Sequence, residues 1–349
     1  MSELAPYDGV LLVSFGGPEG PDDVMPFLRA VTRGRPVPPE RLEAVAEHYL
    51  AVGGRSPIND ANRRLLAELQ AELDGRGIQA PVIWGNRNWH PLLPDALDRA
   101  HESGLERLVA IVTSLFPSWS GCRQYRMALA AAVREGHERG VEVEVDVVAP
   151  YHARPGIRAA LVDRVDGGLD ALGRLLGVDP GQSAAARVVF VTHSIPVEMD
   201  LASGPLGSAY SGRQRQEAHA AMQQLGARRG GVPPWDLVFC SRSGPPGQPW
   251  LEPDIDDHLV ELAGDGVEGV VVVPIGFVSD HMEVVHDLDT QAAEVARRVG
   301  MSFVRVPTVG TDPRFVAALA DAVLDQAALA RGERPTLVPA TCTPQCCHR

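Results

Sequence analysis

Apolar residues along this chain fall into eight short runs rich in β-branched side chains, separated by stretches of helical period. The runs are Val10–Phe15, Pro81–Arg87, Leu108–Leu115, Val143–Pro150, Val188–His193, Leu237–Ser241, Gly269–Gly276 and Phe303–Val309. Several are continuous rather than alternating, the pattern of strands covered on both faces. Between them, segments such as Asn62–Asp74 and Gln214–Leu225 carry apolar residues at i, i+3 and i+4, as helices with one buried face do. Strands alternating with helices predict parallel βαβ units. The runs divide four and four about residue 150. The predicted fold class is therefore α/β, with two Rossmann-like domains, each a mostly parallel four-stranded sheet flanked by helices. The first domain takes residues 1–150 plus 310–335, since the final helix, about Pro313–Ala330, is expected to return to it. The second takes 151–309, and 336–349 form a cysteine-rich tail.

Two of the runs in the C-terminal half break off into histidine-bearing turns. Arg187–Val191 leads to Thr192-His193-Ser194-Ile195-Pro196. Val270–Pro274 leads to Ile275–Ser279 and then Asp280-His281-Met282-Glu283. In open α/β sheets, ligands bind just beyond the carboxyl ends of such strands. An imidazole and a carboxylate at that place serve both to handle a divalent metal and to move protons. Asp280, Glu283, Asp287 and Asp289 add acids downstream. The competing reading is of ordinary loop residues after core strands.

Composition narrows the picture. The net charge of −13 argues against nucleic acid as a partner, because phosphate binding needs a basic face. Every cation is Arg; with no Lys in the chain, Schiff-base chemistry and a P-loop lysine are excluded. No window reaches the roughly 18 uninterrupted apolar residues of a membrane span, and the N-terminus lacks the plan of a signal peptide, so a cytoplasmic protein is expected. Cys122 and Cys240 lie apart, whereas Cys342, Cys346 and Cys347 crowd the end. In a cytosolic chain such clustering points to a metal or cluster before disulfides, or else to a tail with stray thiols.

Further motifs follow the strands. Leu11–Pro18 holds a Gly pair without G-x-G-x-x-G spacing, so it is not a dinucleotide fingerprint. The Pro-rich interior of Asp22–Tyr49 reads either as a lip over a cleft or as a surface loop between two helices. Tyr49–Asn59 is a Gly-rich turn into a helix, where Ser56 either binds an anionic group or caps that helix. Ser114–Tyr125 is rich in hydroxyls and aromatics, as a flat, partly polar organic ligand would require.

Taken together, Leu11–Pro18, Tyr49–Asn59, Ser114–Tyr125, Val191–Pro196, Phe239–Pro253 and Pro274–Asp289 make the chain similar to the ferrochelatases. The histidine turn and the Ser-Asp-His-x-Glu segment are the most specific marks. The lysine-free composition and cysteine-rich tail resemble the actinobacterial branch, whose members act on coproporphyrin III. The resemblance implies two Rossmann-like domains with porphyrin in the cleft between them. It implies insertion of Fe²⁺ into coproporphyrin III to give coprohaem in haem biosynthesis. His193 and Glu283 would be the metal-handling and proton-accepting pair, with their individual roles open, and His281 and Asp287 would support them. Phe15, Tyr49, Ser56 and Tyr125 would meet the macrocycle or its carboxylates. Thr32 and His48 stand where some relatives have arginines, which leaves Arg33, Arg35 or Arg55 for the carboxylates. Gln291 stands where an outer acid of the metal path is often found. Cys122, Cys342, Cys346 and Cys347 would hold a [2Fe-2S] cluster, with Cys346 and Cys347 able to take one iron each. Cys240, at the end of an apolar run, reads as a buried structural thiol. A monomer with no stable membrane insertion and transient contacts with neighbouring haem-pathway enzymes is expected. Alternatives are a protoporphyrin IX ferrochelatase, a cobalt or nickel tetrapyrrole chelatase of the same fold, and a non-catalytic porphyrin carrier.

Overall fold

The computed structural model describes residues 2–34, 37–179, 185–244, 247–337 and 346–347. Its strands are β1 (Gly9–Ser14), β2 (Val82–Asn86), β3 (Arg107–Val112), β4 (Glu144–Val147), β5 (Ala186–His193), β6 (Trp235–Cys240), β7 (Gly269–Val273) and β8 (Ser302–Arg305). Its helices are α1 (Pro21–Val31), α2 (Pro39–Ala51), α3 (Ile58–Gly75), α4 (Leu93–Glu102), α5 (Gln124–His137), α6 (Pro155–Leu176), α7 (Val197–Leu201), α8 (Ala209–Arg229), α9 (Ile255–Gly264), α10 (Ala293–Arg298) and α11 (Pro313–Ala330). Two π-helical segments, Trp119–Arg123 and Val284–Ala292, precede α5 and α10.

The chain divides into two compact units. One comprises Met1–Ser114, Ser120–Tyr151 and Val316–Ala340; the other Leu115–Trp119, His152–Phe315 and Thr341–Arg349. Each holds one four-stranded parallel sheet, ordered β2-β1-β3-β4 in the first and β6-β5-β7-β8 in the second. The two sheets thus repeat one plan, as the four-and-four spacing predicts. Connections leave β1 in one direction and β3 in the other, so the sheet reverses between β1 and β3. The same reversal falls between β5 and β7. Crevices at such switch points are where α/β sheets place ligands.

The strands form because they can bury both faces. All of β1 and all of β7 are covered, and β5 is covered over Val188–Thr192. In the second unit, Val189, Val191, Val270 and Val272 pack with Leu259 and Leu262 of α9 and with Val284 and Leu288. On its other side, α6 lies so close that a Cβ built on Gly168 would stand 2.6 Å from methyls of both Val271 and Val306.

Strand ends fall earlier than the apolar runs suggest. The run to Gly276 leaves the ladder at Val273, because Pro274 has no N–H to donate and the Ile275 N–H turns back to the Val273 carbonyl at 2.8 Å. Gly276 then approaches β5 so closely that a Cβ there would meet Thr192 Oγ1 at 2.0 Å. The final residues of the third run, from Leu115, group with the second unit. Within the excursion, α1 and α2 share a small core of Val24, Phe27, Leu28 and Ala46.

Adjacent glycines on α6 give opposite predictions. Gly167 is exposed and a Cβ there meets nothing within 4 Å, so Gly167→Ala should stabilise by about 0.5–1 kcal/mol through helix propensity. Gly168→Ala should destabilise by about 1–3 kcal/mol, because overpacking against β7 outweighs the same propensity gain. Urea denaturation of the two variants measures both signs.

Candidate active site

At the β5/β7 switch point the chain brings His193 and Glu283 together. His193 closes β5, and its ring Nδ1 lies against the Ser194 carbonyl. That oxygen only accepts, so Nδ1 carries a hydrogen in either charge state, and Nε2 is the atom that gains or loses the proton. Nε2 faces Glu283 Oε1 at 3.7 Å. Glu283 sits immediately before the π-helical Val284–Ala292, where a helix start favours negative charge. Such π-helical segments recur at functional sites.

The two groups shift each other. Burial disfavours charge on Glu283, yet the His193 ring overcomes this and holds the carboxyl down at about 2. Burial likewise opposes the imidazolium of His193, and Glu283 overcomes it, so His193 stays protonated above its ordinary range. Nearly half of the Glu283 side chain, 48%, remains accessible. Solvent therefore screens the pair, and its contribution is chemical more than structural. His281 has the opposite bias: burial pushes its ring toward the neutral form, against the pull of Glu283. Its ring packs edge-on to Phe277 at 5.1 Å between centroids.

Asp287, four residues beyond Glu283, accepts from the Ser241 hydroxyl and lies 3.0 Å from His286 Nδ1. Ser241 follows β6 with a left-handed φ of +61°, a conformation that costs a non-glycine residue energy and that here accompanies the hydroxyl's contact with Asp287. The other two acids of the cluster are neutralised elsewhere. Asp280 lies 2.9 Å from Arg305, and Asp289 takes a fork from the same guanidinium at 2.7 and 2.6 Å. Asp256, at the start of α9, has its carboxyl pushed up to about 6 by burial and then by Asp254 and Asp287. Two aspartates the sequence reading passed over thus add to the negative potential around Asp287.

In the first unit, Phe15 and Tyr49 both stand edge-on to Phe27, with centroids 6.2 and 6.0 Å away. Tyr125 is buried at the start of α5. Between Phe15 and Tyr125 lies Arg87, whose Cζ is 5.0 Å from one ring centre and 4.9 Å from the other. Sequence reading missed Arg87, since only the last residue of a predicted strand marked it. Ser56 is buried with its Oγ 3.5 Å from the Ile58 N–H, while Arg55 forks onto Asp60 at 2.8 and 2.7 Å. Arg33 lies in the turn after α1; Arg35 and Cys342 lie outside the described residues.

Cys122 sits in the π-helical turn before α5 and is partly covered. In the other unit, Cys346 and Cys347 are buried with their sulfurs 3.6 Å apart. The Gly204 N–H donates to Cys347 Sγ at 3.4 Å, and the Cys347 N–H donates to the Ala202 carbonyl at 3.1 Å. A tetrahedral ion with metal–sulfur bonds of about 2.3 Å holds two sulfurs roughly 3.8 Å apart, so this spacing suits both thiols on one ion rather than one on each iron, and N–H donors to sulfur tune cluster ligands. Among the described residues, no group of three or more His, Cys, Asp or Glu is placed to hold a metal. Cys240, by contrast, is 1% exposed within the second core, and burial pushes its thiol well up.

Comparison with known proteins gives consistent findings. A family profile described as Ferrochelatase matches residues 7–327. A protein of Leifsonia xyli named coproporphyrin III ferrochelatase is 46% identical over 100% of this chain and 92% of its own length. Proteins of the same name from Streptomyces griseus and Frankia alni are 48% and 50% identical, over 95% and 90% of this chain and 89% and 79% of theirs. Among solved structures, SirB from Bacillus subtilis with Fe³⁺ aligns at a TM-score of 0.52 with 14% identity, covering 94% of this chain and 98% of that one. That likeness speaks to the fold alone.

The electrostatics predict how His193 titrates. With its folded value raised, imidazolium persists above pH 6.5, and Glu283→Gln removes the cause while leaving the burial that opposes charge. The His193 ring resonance, assigned by its loss in His193→Ala, should titrate above the ordinary imidazole range in the parent and at a lower pH in Glu283→Gln. A midpoint that rises or stays in the variant contradicts the pairing.

Proposed function

The chain belongs to the ferrochelatase family, and from that premise we propose that it inserts Fe²⁺ into coproporphyrin III to give coprohaem. The observation that carries this is the His193 Nε2–Glu283 Oε1 approach of 3.7 Å at the β5/β7 switch point. The names of the full-length relatives support the substrate. Insertion exchanges two pyrrole N–H protons for one divalent ion. At neutral pH the carboxylate of Glu283 is ionised and His193 shares its proton with it. Arriving Fe²⁺ replaces that proton, as metal binding to imidazole does. A neutral imidazole and one carboxylate bind Fe²⁺ without closing a full ligand shell, so the ion remains able to leave for the ring. As the ring takes up the ion, the freed His193 Nε2 accepts one pyrrole proton and, after passing it to solvent beside the half-exposed Glu283, the second. Asp287, held by Ser241, extends the negative field that draws the cation inward.

Phe15, Tyr49 and Tyr125 are proposed to meet the macrocycle, and Ser56 its periphery. Arg87, stacked between two rings, offers a cation of fixed position for a carboxylate. Arg33 is proposed as a second carboxylate partner. Coproporphyrin III carries four carboxylates; protoporphyrin IX replaces two of them with apolar vinyls. No described helix is long and apolar enough to cross a membrane. We place the enzyme in the cytoplasm as a monomer that meets neighbouring haem-pathway enzymes transiently.

Metalation assays with Fe²⁺, Co²⁺ and Zn²⁺ on coproporphyrin III, protoporphyrin IX and sirohydrochlorin test this reading. Fe²⁺ with coproporphyrin III should give the highest kcat/KM. His193→Ala and Glu283→Gln should each abolish most turnover while porphyrin affinity stays within about tenfold, because binding area comes mainly from apolar contact. Equal efficiency with protoporphyrin IX, or wild-type turnover in either variant, rejects it.

Cys122, Cys342, Cys346 and Cys347 are proposed to hold a [2Fe-2S] cluster. The support is the number and position of the thiols, the 3.6 Å sulfur spacing and the N–H bond to Cys347 Sγ. When bound, the cluster supplies a cross-link that pins the tail, so its loss should lower the melting temperature. Anaerobically purified protein should be coloured before porphyrin is added, with about two irons per chain. Serine at any of the four positions should bleach it, and Cys240→Ser should not. A colourless chain after anaerobic reconstitution overturns the cluster.

A further inference from the structure

Two buried polar groups beside the metal-handling pair have no part in the chemistry above. Tyr210, in the first turn of α8, is 8% exposed, and its hydroxyl donates to the His193 carbonyl at 2.7 Å. Its one hydrogen is spent there, so Thr192 Oγ1, 2.9 Å away, must donate to it. The last two residues of β5 are thus fastened from the side by one phenol. The main chain of Tyr210 is fastened in turn. Its N–H donates to Ser203 Oγ at 2.8 Å, and that hydroxyl donates to the Asp200 carbonyl at 2.6 Å. Ser203 is fully buried.

The tripeptide that contains Ser203 is gripped from its far side by the tail. Cys347 donates its N–H to the Ala202 carbonyl at 3.1 Å and accepts the Gly204 N–H on sulfur at 3.4 Å. Gly204 has a φ of +72°, and a Cβ there would stand 2.3 Å from the Ala209 Cβ, so the tripeptide has little room to shift. Cys347 itself is left-handed, at a φ of +56°. A continuous set of hydrogen bonds therefore runs from Cys347 through Ala202–Gly204 and Tyr210 to His193, all inside one unit.

We propose that Tyr210 is a positioning residue for His193, and that Cys347 fixes the seat of Tyr210, so that the state of the tail cysteines is felt at the metal-handling imidazole. The proposal rests on His193 being that imidazole. Losing the phenol hydroxyl frees the end of β5 to move by a fraction of an ångström. Metal transfer, which needs Nε2 and the carboxylate aligned, is sensitive to that; porphyrin binding is not.

The test uses the full-length protein as purified, with Tyr210→Phe, Cys347→Ala, their combination, Ser203→Ala and His193→Ala. Tyr210→Phe should lower kcat roughly tenfold with the KM for coproporphyrin III unchanged. Cys347→Ala should lower kcat alone but add nothing in the Tyr210→Phe background. Amide hydrogen exchange, read without porphyrin or added iron, should rise over Ala202–Tyr210 in Cys347→Ala. Ser203→Ala, which removes the acceptor without touching β5, must reproduce the kcat loss should Tyr210→Phe fail to fold. Wild-type kcat in Tyr210→Phe with His193→Ala inactive overturns the positioning role and leaves the His193 reading intact. A matching loss of porphyrin affinity in Tyr210→Phe marks general damage and also overturns it. Additive losses, or unchanged exchange in Cys347→Ala, overturn the link to the tail. Wild-type turnover in His193→Ala instead defeats the underlying reading.

Discussion

The offset between β5 and β7 governs everything else in the second unit. Their ladder pairs Ala186 with Gly269 and ends at Phe190 opposite Val273. Over Val188–Phe190 the backbone groups are consumed by the sheet and the side chains by the core, which leaves no exposed group there. Beyond it, β7 stops at a proline while β5 continues through Val191, Thr192 and His193, paired only with β6. The unmatched end of β5 meets the Pro274–Gly276 turn, and Gly276 admits the contact because it has no Cβ to collide with Thr192. A polar residue placed three positions past the end of that dry ladder has a low-dielectric wall on one side and access on the other. That is the setting in which an imidazole and a carboxylate shift each other instead of being levelled by water.

The electrostatics of the site come from a division among the acids. Four acids stand close in sequence, but Arg305 takes two of them, Asp280 and Asp289, into a fixed ion-pair group. The remaining two, Glu283 and Asp287, are set against groups that can exchange a proton or release a hydrogen bond: His193 and the Ser241 hydroxyl. A guanidinium does not give up its proton at working pH, so acids locked to Arg305 are unavailable to an incoming cation, whereas the His193 partner can leave.

Periodicity was enough for the sheets, because a strand buried on both faces must be apolar throughout, as Val270–Val273 and Val188–Val191 are. It overran the strand ends, since Ile275 and Gly276 are as apolar as their predecessors and only the missing N–H of Pro274 ends the ladder. That His193 and Glu283 would approach one another was legible from the order of the elements, since His193 closes β5 and Glu283 follows the turn that leaves β7. Arg87, Ser241 and Tyr210 were not. Arg87 lies against two rings, one just after β1 and one in α5, Ser241 meets Asp287 from a left-handed backbone, and Tyr210 reaches a carbonyl 17 residues away. None of these relations has a period or a spacing that sequence can carry. The acids Asp254 and Asp256 were hidden similarly, as they read as an ordinary capped helix start until folding sets them near Asp287.

Among the described residues, three that are not glycine adopt a left-handed backbone: Ser208, Ser241 and Cys347. Each such residue costs about 1–2 kcal/mol. All three belong to the second unit and touch the apparatus around His193. Ser241 holds Asp287, Ser208 begins the helix that carries Tyr210, and Cys347 clasps the tripeptide under Tyr210. A glycine would relieve the backbone at each, but it would remove a hydroxyl or a thiol whose direction depends on that backbone. Left-handed backbone is thus retained at Cys347 and at the start of α8, along the hydrogen-bonded path to the His193 carbonyl, and separately at the Ser241–Asp287 contact; such retention is expected where the placement of a group outweighs stability.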